Sequence, residues 1–205
     1  MTQTLARVRA HLSAHFSATG FGPEPDAASV TFLGAEPIEV LRFHPGHSDS
    51  AGIVHYVSLG CSRHPMTDPA DMVNDPERGP RAEVVLRLRN PGAITHLAHS
   101  LAIVAATPAV DGVVLIEDAL IDLGSPLWDT RSGPAPFTAI LLSRSDIPDL
   151  PLDPPRDPVR FLSATPITAT EAAWVRLKGA EAMRQAWQAD GVDVDDPNRR
   201  AAQPS

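Results

Sequence analysis

YVSLGCSRHPM, residues 56–66, runs as a strand and then stops. Tyr56, Val57 and Leu59 suit a pleated, half-buried surface. Gly60 interrupts them, and Cys61, Ser62, Arg63, His64 and Pro65 follow directly. Read backwards, the strand extends to IVHYVSL, 53–59, with apolar residues on both faces, which predicts a central strand. Read forwards, residues 61–80 carry Pro65, Pro69, Pro76, Gly79 and Pro80. That is longer than the ~12–15 residues of a plain connection, with room for one helical turn near 69–73. RAEVVLRLR, 81–89, then alternates: Ala82, Val84, Leu86 and Leu88 point one way, Glu83, Val85, Arg87 and Arg89 the other. The loop returns the chain beside its starting strand, so 53–59 and 81–89 are expected as neighbours in one sheet.

Outward from this pair, Leu5, Val8, Leu12 and Phe16 predict an amphipathic helix over 3–18. Short strands are expected at 30–33 and 38–43. Ile94, Leu97, Leu101 and Val104 form a helical stripe that should end before Pro108. Strands are expected at 113–116, 136–142 and 159–164. Thr168 and Glu171 fit a capping box that opens a helix over 169–189, with Gly191 as its stop. The fold class expected is α/β (α+β): a mixed central sheet flanked by helices, one domain over 1–189, and a disordered tail over 190–205.

Of the 205 residues, 43% are hydrophobic and 20% charged, enough apolar material to bury a core. The net charge of -8 argues against general nucleic-acid binding, which needs a basic face, and steers towards basic partners. Cys61 is the only cysteine, so no intrachain disulfide can form, which suits a reducing compartment. Arg7, Arg9 and His11 interrupt what would be the apolar core of a signal peptide, and no run approaches the roughly 20 apolar residues of a membrane helix. A cytoplasmic protein without membrane contact is expected.

The histidines raise a metal question. His44 and His47 flank Pro45-Gly46, and with His55 or His64 they could make a three-ligand site. No carboxylate is fixed by spacing, and HLSAH places Leu12 where a metalloprotease helix needs glutamate, so no metal or other cofactor is expected. Cys61 and His64 are close in sequence, whereas a catalytic base usually comes from a distant segment, so an inert thiol is the simpler reading. Ser62 lacks the G-x-S-x-G elbow. No catalytic residue is assigned. Arg63, Arg78, Arg81, Arg87 and Arg89 make the middle of the chain basic, either as solvated strand faces or as a surface for a carboxylate-bearing partner. The candidate partner-binding residues are Arg63, His64, Arg81, Arg87 and Arg89.

Tyr56, Val57, Ser58, Gly60 and Ser62, followed by Glu83, Val84, Arg87 and Leu88, resemble the paired strand motifs of the suppressor-of-fused (SUFU) domain. The helix around His96–Val104 and the segments FTAILL and VRFLSATPITATE resemble the family in order and spacing, over roughly residues 35–190. The resemblance implies a mixed α/β domain that binds proteins and is not an enzyme. The animal member restrains Hedgehog-pathway transcription factors by holding a peptide between two domains. A chain of this length is not expected to supply the second domain, so that clamp is not carried over. Small bacterial members are thought to include immunity proteins that neutralise toxins. The alternative function is a small metal-dependent or nucleophilic hydrolase using His44, His47, His55 and His64.

Overall fold

A computed structural model describes residues 3–22, 24–32, 36–46, 52–67 and 75–202. Among these, the helices are α1 (Gln3–Ala18), α2 (Leu97–Asp111), α3 (Ala169–Lys178) and α4 (Ala180–Ala189). The strands are β1 (Asp26–Val30), β2 (Ile38–Phe43), β3 (Ile53–Leu59), β4 (Arg81–Arg89), β5 (Leu120–Asp122), β6 (Asp129–Thr130), β7 (Gly133–Pro134), β8 (Phe137–Arg144) and β9 (Val159–Thr168). Seven of them form one mixed sheet in the order β1-β2-β3-β4-β9-β8-β5, and β6 pairs with β7 apart from it. The β4–β9 pair is parallel and the other pairs of the large sheet are antiparallel. β3 and β4 are neighbours, as their alternation predicts, with Val57 opposite Val85 and His55 opposite Arg87.

The two periods of β4 sort the core. Ala82, Val84, Leu86 and Leu88 pack with Leu97, Leu101 and Val104 of α2. Val85 packs on the opposite face with Leu5, Val8, Leu12 and Phe16 of α1. There Phe16 stacks on Phe43 with ring centres 4.1 Å apart. Burying a side chain of this size stabilises the fold by about 1.5–3 kcal/mol. A third cluster joins Ala139, Leu141 and Ile167 of the sheet to Val175, Met183 and Trp187 of α3 and α4.

Several expected boundaries move, each for a local reason. β1 lies at Asp26–Val30, earlier than 30–33; it is an almost wholly exposed edge strand, so no hydrophobic alternation marks it. The α2 helix runs through Pro108 to Asp111. Pro108 cannot donate to the carbonyl of Val104, but the Thr107 hydroxyl does so at 2.8 Å, which satisfies the orphaned acceptor. Residues 113–116 are not a strand: Leu115 is buried, and its N–H approaches Met66 Sδ at 3.4 Å instead of a ladder carbonyl. The expected helix 169–189 is two helices, broken at Gly179, whose φ of 88° and ψ of 167° suit glycine alone.

Within the tail expected to be disordered, residues 190–202 are ordered. Arg199 is buried against Glu171, its Nη1 2.7 Å from Oε1, and Ala202 N–H donates to the same oxygen at 3.1 Å. No helix of the described residues is long and apolar enough to cross a membrane.

Candidate functional site

The corner after β3 is built around one buried carboxylate. Gly60 takes φ 149°, and a Cβ there would stand 2.9 Å from Ile38 Cδ1. The chain then makes a 3-10 turn over Cys61–Arg63. Glu83, with no measurable exposure, sits under this turn from β4. Its Oε1 accepts from Gly60 N–H (2.9 Å), Ser62 N–H (3.0 Å) and the Ser62 hydroxyl (2.6 Å), and its Oε2 from the Ser58 hydroxyl (2.5 Å). Ser58 Oγ in turn accepts from Val84 N–H at 2.9 Å. Burial pushes the Glu83 carboxyl above its ordinary value, and the donors from Gly60, Ser58 and Ser62 offset only part of that.

Arg81 closes the corner from below. It is 3% exposed and donates from Nη1 to the carbonyls of Ser62 (2.9 Å) and Arg63 (3.0 Å). It is therefore part of the corner's frame and is not available to a partner, contrary to its reading as a surface arginine. Cys61 is buried, and its thiol is raised well above the ordinary value by burial and then by Glu83, so it stays protonated and inert.

Outside the frame, Arg63 donates to the carbonyl of Pro37 at 3.0 Å and pairs with Glu36 at 3.3 Å. His64 Nε2 lies 2.9 Å from the same carboxylate, with its side chain 73% exposed. The hydrogen bond to His64, and after it the charge of Arg63, hold the Glu36 carboxyl below the usual carboxylate range against a small opposing effect of burial. Beside them opens a groove of about 370 Å³ between the corner and α2, walled by Ile38, Met66, Ala105, Ala106 and Ala109. A second cleft, about 390 Å³, lies on the α1 side of the sheet over Ser143, Ser163 and Thr165 and is bordered by Val194 of the ordered tail.

The five candidate residues do not converge. β4 spans eight residue steps of about 3.3 Å, so its ends lie roughly 25 Å apart. Arg63, His64 and Arg81 belong to one end. At the other, Arg87 donates to Asp195 at 3.2 Å and Arg89 to Asp193 at 2.9 Å, while Arg89 N–H donates to the Asp195 carbonyl at 2.7 Å. These arginines clasp the tail. The histidines are likewise dispersed. His44 pairs with Asp26 at 3.0 Å, His55 packs against Phe16 and Phe21 near the start of β3, and His64 stands beyond its end. His47 lies outside the described residues. Among the described residues no three His, Cys, Asp or Glu side chains are grouped to hold a metal.

A family model described as Suppressor of fused protein (SUFU) matches residues 34–200. The chain belongs to the suppressor of fused family. Solved structures agree in fold. The SUFU homolog of Neisseria gonorrhoeae FA 1090 is 19% identical with a TM-score of 0.64, and the alignment covers 97% of this chain and 96% of that one. A chain of a Sufu–Fu complex is 15% identical with a TM-score of 0.66, covering 97% and 91%. Drosophila Suppressor of Fused is 16% identical with a TM-score of 0.64, covering 95% of this chain but 50% of the Drosophila one. A comparison with curated proteins gives no match. SUFU membership and the SUFU fold support a protein-interaction module.

The residue that organises the corner, Glu83, was missed as such by sequence reasoning, although its signal was present. Ser58 near the end of β3 and Gly60 and Ser62 in the turn after it stand at every second position, and the next strand carries a glutamate. Small donors gathered around a carboxylate are what a buried acceptor requires.

Proposed function

We propose that the chain is a non-enzymatic SUFU-type binding module that contacts a protein partner around Arg63 and His64, with the groove beside them. The observation that carries this reading is the direction of the corner's reactive groups. Ser62 is turned inward and bonded to a buried carboxylate, and Cys61, which borders the groove, is only 9% exposed, while His64 faces solvent at the groove's rim. A nucleophile needs the reverse arrangement, exposed and beside a base. The dispersed His44, His55 and His64 give no support to the hydrolase alternative. The narrower reading is an immunity protein that neutralises a toxin in the cytoplasm. Its support is the resemblance to small bacterial SUFU members, the net charge of -8, which suits a basic target, and a lone buried thiol suited to reducing conditions.

The test is His64→Ala, assayed by calorimetry against a partner obtained by affinity capture from the native cell. Binding should weaken by about 1 kcal/mol or more if His64 belongs to the hot spot. Folding stability should stay within about 0.5 kcal/mol, because the side chain is exposed. Arg63→Ala is the less clean variant, since its guanidinium holds the Pro37 carbonyl and its side chain is only 11% exposed. Unchanged affinity in His64→Ala would remove the corner from the interface.

A further inference from the structure

The groove beside the corner continues into exposed apolar side chains at the end of α2. Val110 is 62% exposed, Ile116 55% and Val113 37%. The two features adjoin. Pro108 and Ala109 line the groove and directly precede Val110, and the Leu115 N–H lies 3.4 Å from the sulfur of Met66, which lines the groove as well. Residues 113–116 therefore run alongside it.

The charge at the end of α2 is one-sided. The last turn of α2 carries no basic residue and ends in Asp111, which makes no ion pair among the described residues. A helix C-terminus is already electronegative through its free carbonyls, and side chains that stabilise it are cations. Asp111 opposes that preference in the helix turn where Val110 leaves its side chain in water. Across the groove, Glu36 pairs with Arg63 and His64, which leaves Asp111 as the unbalanced charge. Glu117 is not counted, because it shares a small hollow with Arg144 and Arg160. An apolar strip beside a groove, framed by a helix end that its own chain leaves without a cation, is complementary to a basic amphipathic segment.

We infer that the end of α2 and the adjoining groove form the docking surface for a basic, apolar-bearing segment of a partner protein. The inference rests on the module reading above. An apolar side chain of the partner enters between Met66 and α2, its neighbours cover Val110, Val113 and Ile116, and a lysine or arginine meets Asp111 and the free carbonyls of α2.

The probes are two 18-residue synthetic amphipathic helices, one of leucine and lysine and the other with glutamate in place of lysine. Each is titrated into the full chain and followed by fluorescence anisotropy and amide chemical shifts. The lysine peptide should bind about tenfold tighter than its glutamate counterpart, with the shifts confined to residues 63–66 and 105–117. The V110S/I116S variant should weaken it about tenfold by removing the apolar cover. Asp111→Lys should weaken it about threefold to tenfold while raising the thermal midpoint, because a cation suits a helix C-terminus. A residue of purely structural importance would move stability and binding in the same direction. Shifts centred elsewhere, equal binding of the two peptides, or full affinity in both variants would overturn the inference. A captured partner that binds both variants like the unaltered chain would also overturn it while leaving the module reading in place. Catalytic turnover by the chain would sink the module reading by itself.

Discussion

Two glutamates with no measurable exposure organise opposite ends of this molecule, and they are stabilised by different means. Glu83, under the corner, is surrounded by hydroxyls and backbone N–H groups. Glu171, in the first turn of α3, has a cation. Its Oε1 accepts from Trp187 Nε1 (2.9 Å), Arg199 Nη1 (2.7 Å) and Ala202 N–H (3.1 Å). Its Oε2 accepts from Thr168 N–H (2.9 Å) and Arg199 Nη2 (3.0 Å). Burial pushes both carboxyls up. At Glu171 the Arg199 guanidinium, the Thr168 N–H and the Trp187 indole outweigh burial and the net shift is downward; at Glu83 no cation intervenes and the net shift is upward. The lesson is that neutral donors and a paired cation both favour the ionised form of a buried carboxylate, but here only the set that includes the cation outweighs burial. Glu83 therefore shapes a turn, whereas Glu171 ties the C-terminal segment to the sheet.

The largest effect is expected at Glu171. Glu171→Gln leaves Arg199 as an uncompensated buried cation and turns an amide NH2 towards groups that are themselves donors. The cost should be about 3–5 kcal/mol, read from the urea midpoint at constant slope. It should also release the tail, so that amide exchange rises over residues 190–202 and the Asp195 and Asp193 contacts to Arg87 and Arg89 loosen. A loss below about 1 kcal/mol would mean that the ion pair is no better than a surface pair, and the contrast with Glu83 would fail.

The next effect is in pH dependence, where the two sites have opposite signs. Glu171 is lowered from 4.5, so in acid the unfolded chain takes up its proton first. Its contribution is present above about 4.5 and is lost as pH falls from there through the folded-state value. Glu83 is raised from 4.5, so the folded chain holds a proton that the unfolded chain has released. Its contribution is present below about 4.5 and is lost as pH rises from there through the folded-state value. Denaturant titrations at stepped pH on the native chain, Glu83→Gln and Glu171→Gln should separate the two. The glutamine at 83 should remove the decline above 4.5, and the glutamine at 171 should flatten the acid limb. The same change in both variants would refute the assignment.

The sequence exposes the first site more fully than the second. β3 and β4 were legible because strict alternation and a glycine stop report the strand period and its end directly, and the capping box reported the start of α3. The apolar periodicity of α1 likewise identified the residues that α1 buries. What could not be read were pairings set by distance in the chain. Arg199 looked like one more polar residue of a disordered tail, and its partner lies 28 positions earlier in a helix cap. Arg87 and Arg89 have the alternation of solvated strand residues whether they face a partner or their own tail. Pro108 misled for a local reason, since the hydroxyl that rescues its missing hydrogen bond belongs to Thr107 and can do so only in the folded helix.

The smallest effect should come from Glu83→Gln, and it is the most discriminating. Oε1 faces donors only, and a glutamine carbonyl can accept from them as the carboxylate does. Oε2 meets only the Ser58 hydroxyl, which can also accept, so a proton or an amide N–H can be accommodated on that side. The site is thus geometrically suited to a neutral occupant, and burial favours one. The substitution should cost about 1 kcal/mol or less, within the range of a typical neutral hydrogen bond, and the corner should keep its shape. Partner affinity should be unchanged, because His64 and the groove are carried by the Gly60 turn, which a glutamine holds equally well. A cost of about 3 kcal/mol or more would show that Glu83 is ionised and works through its charge, as expected of a buried charge whose removal is expensive. The two glutamates would then differ in their partners but not in the physics that stabilises them.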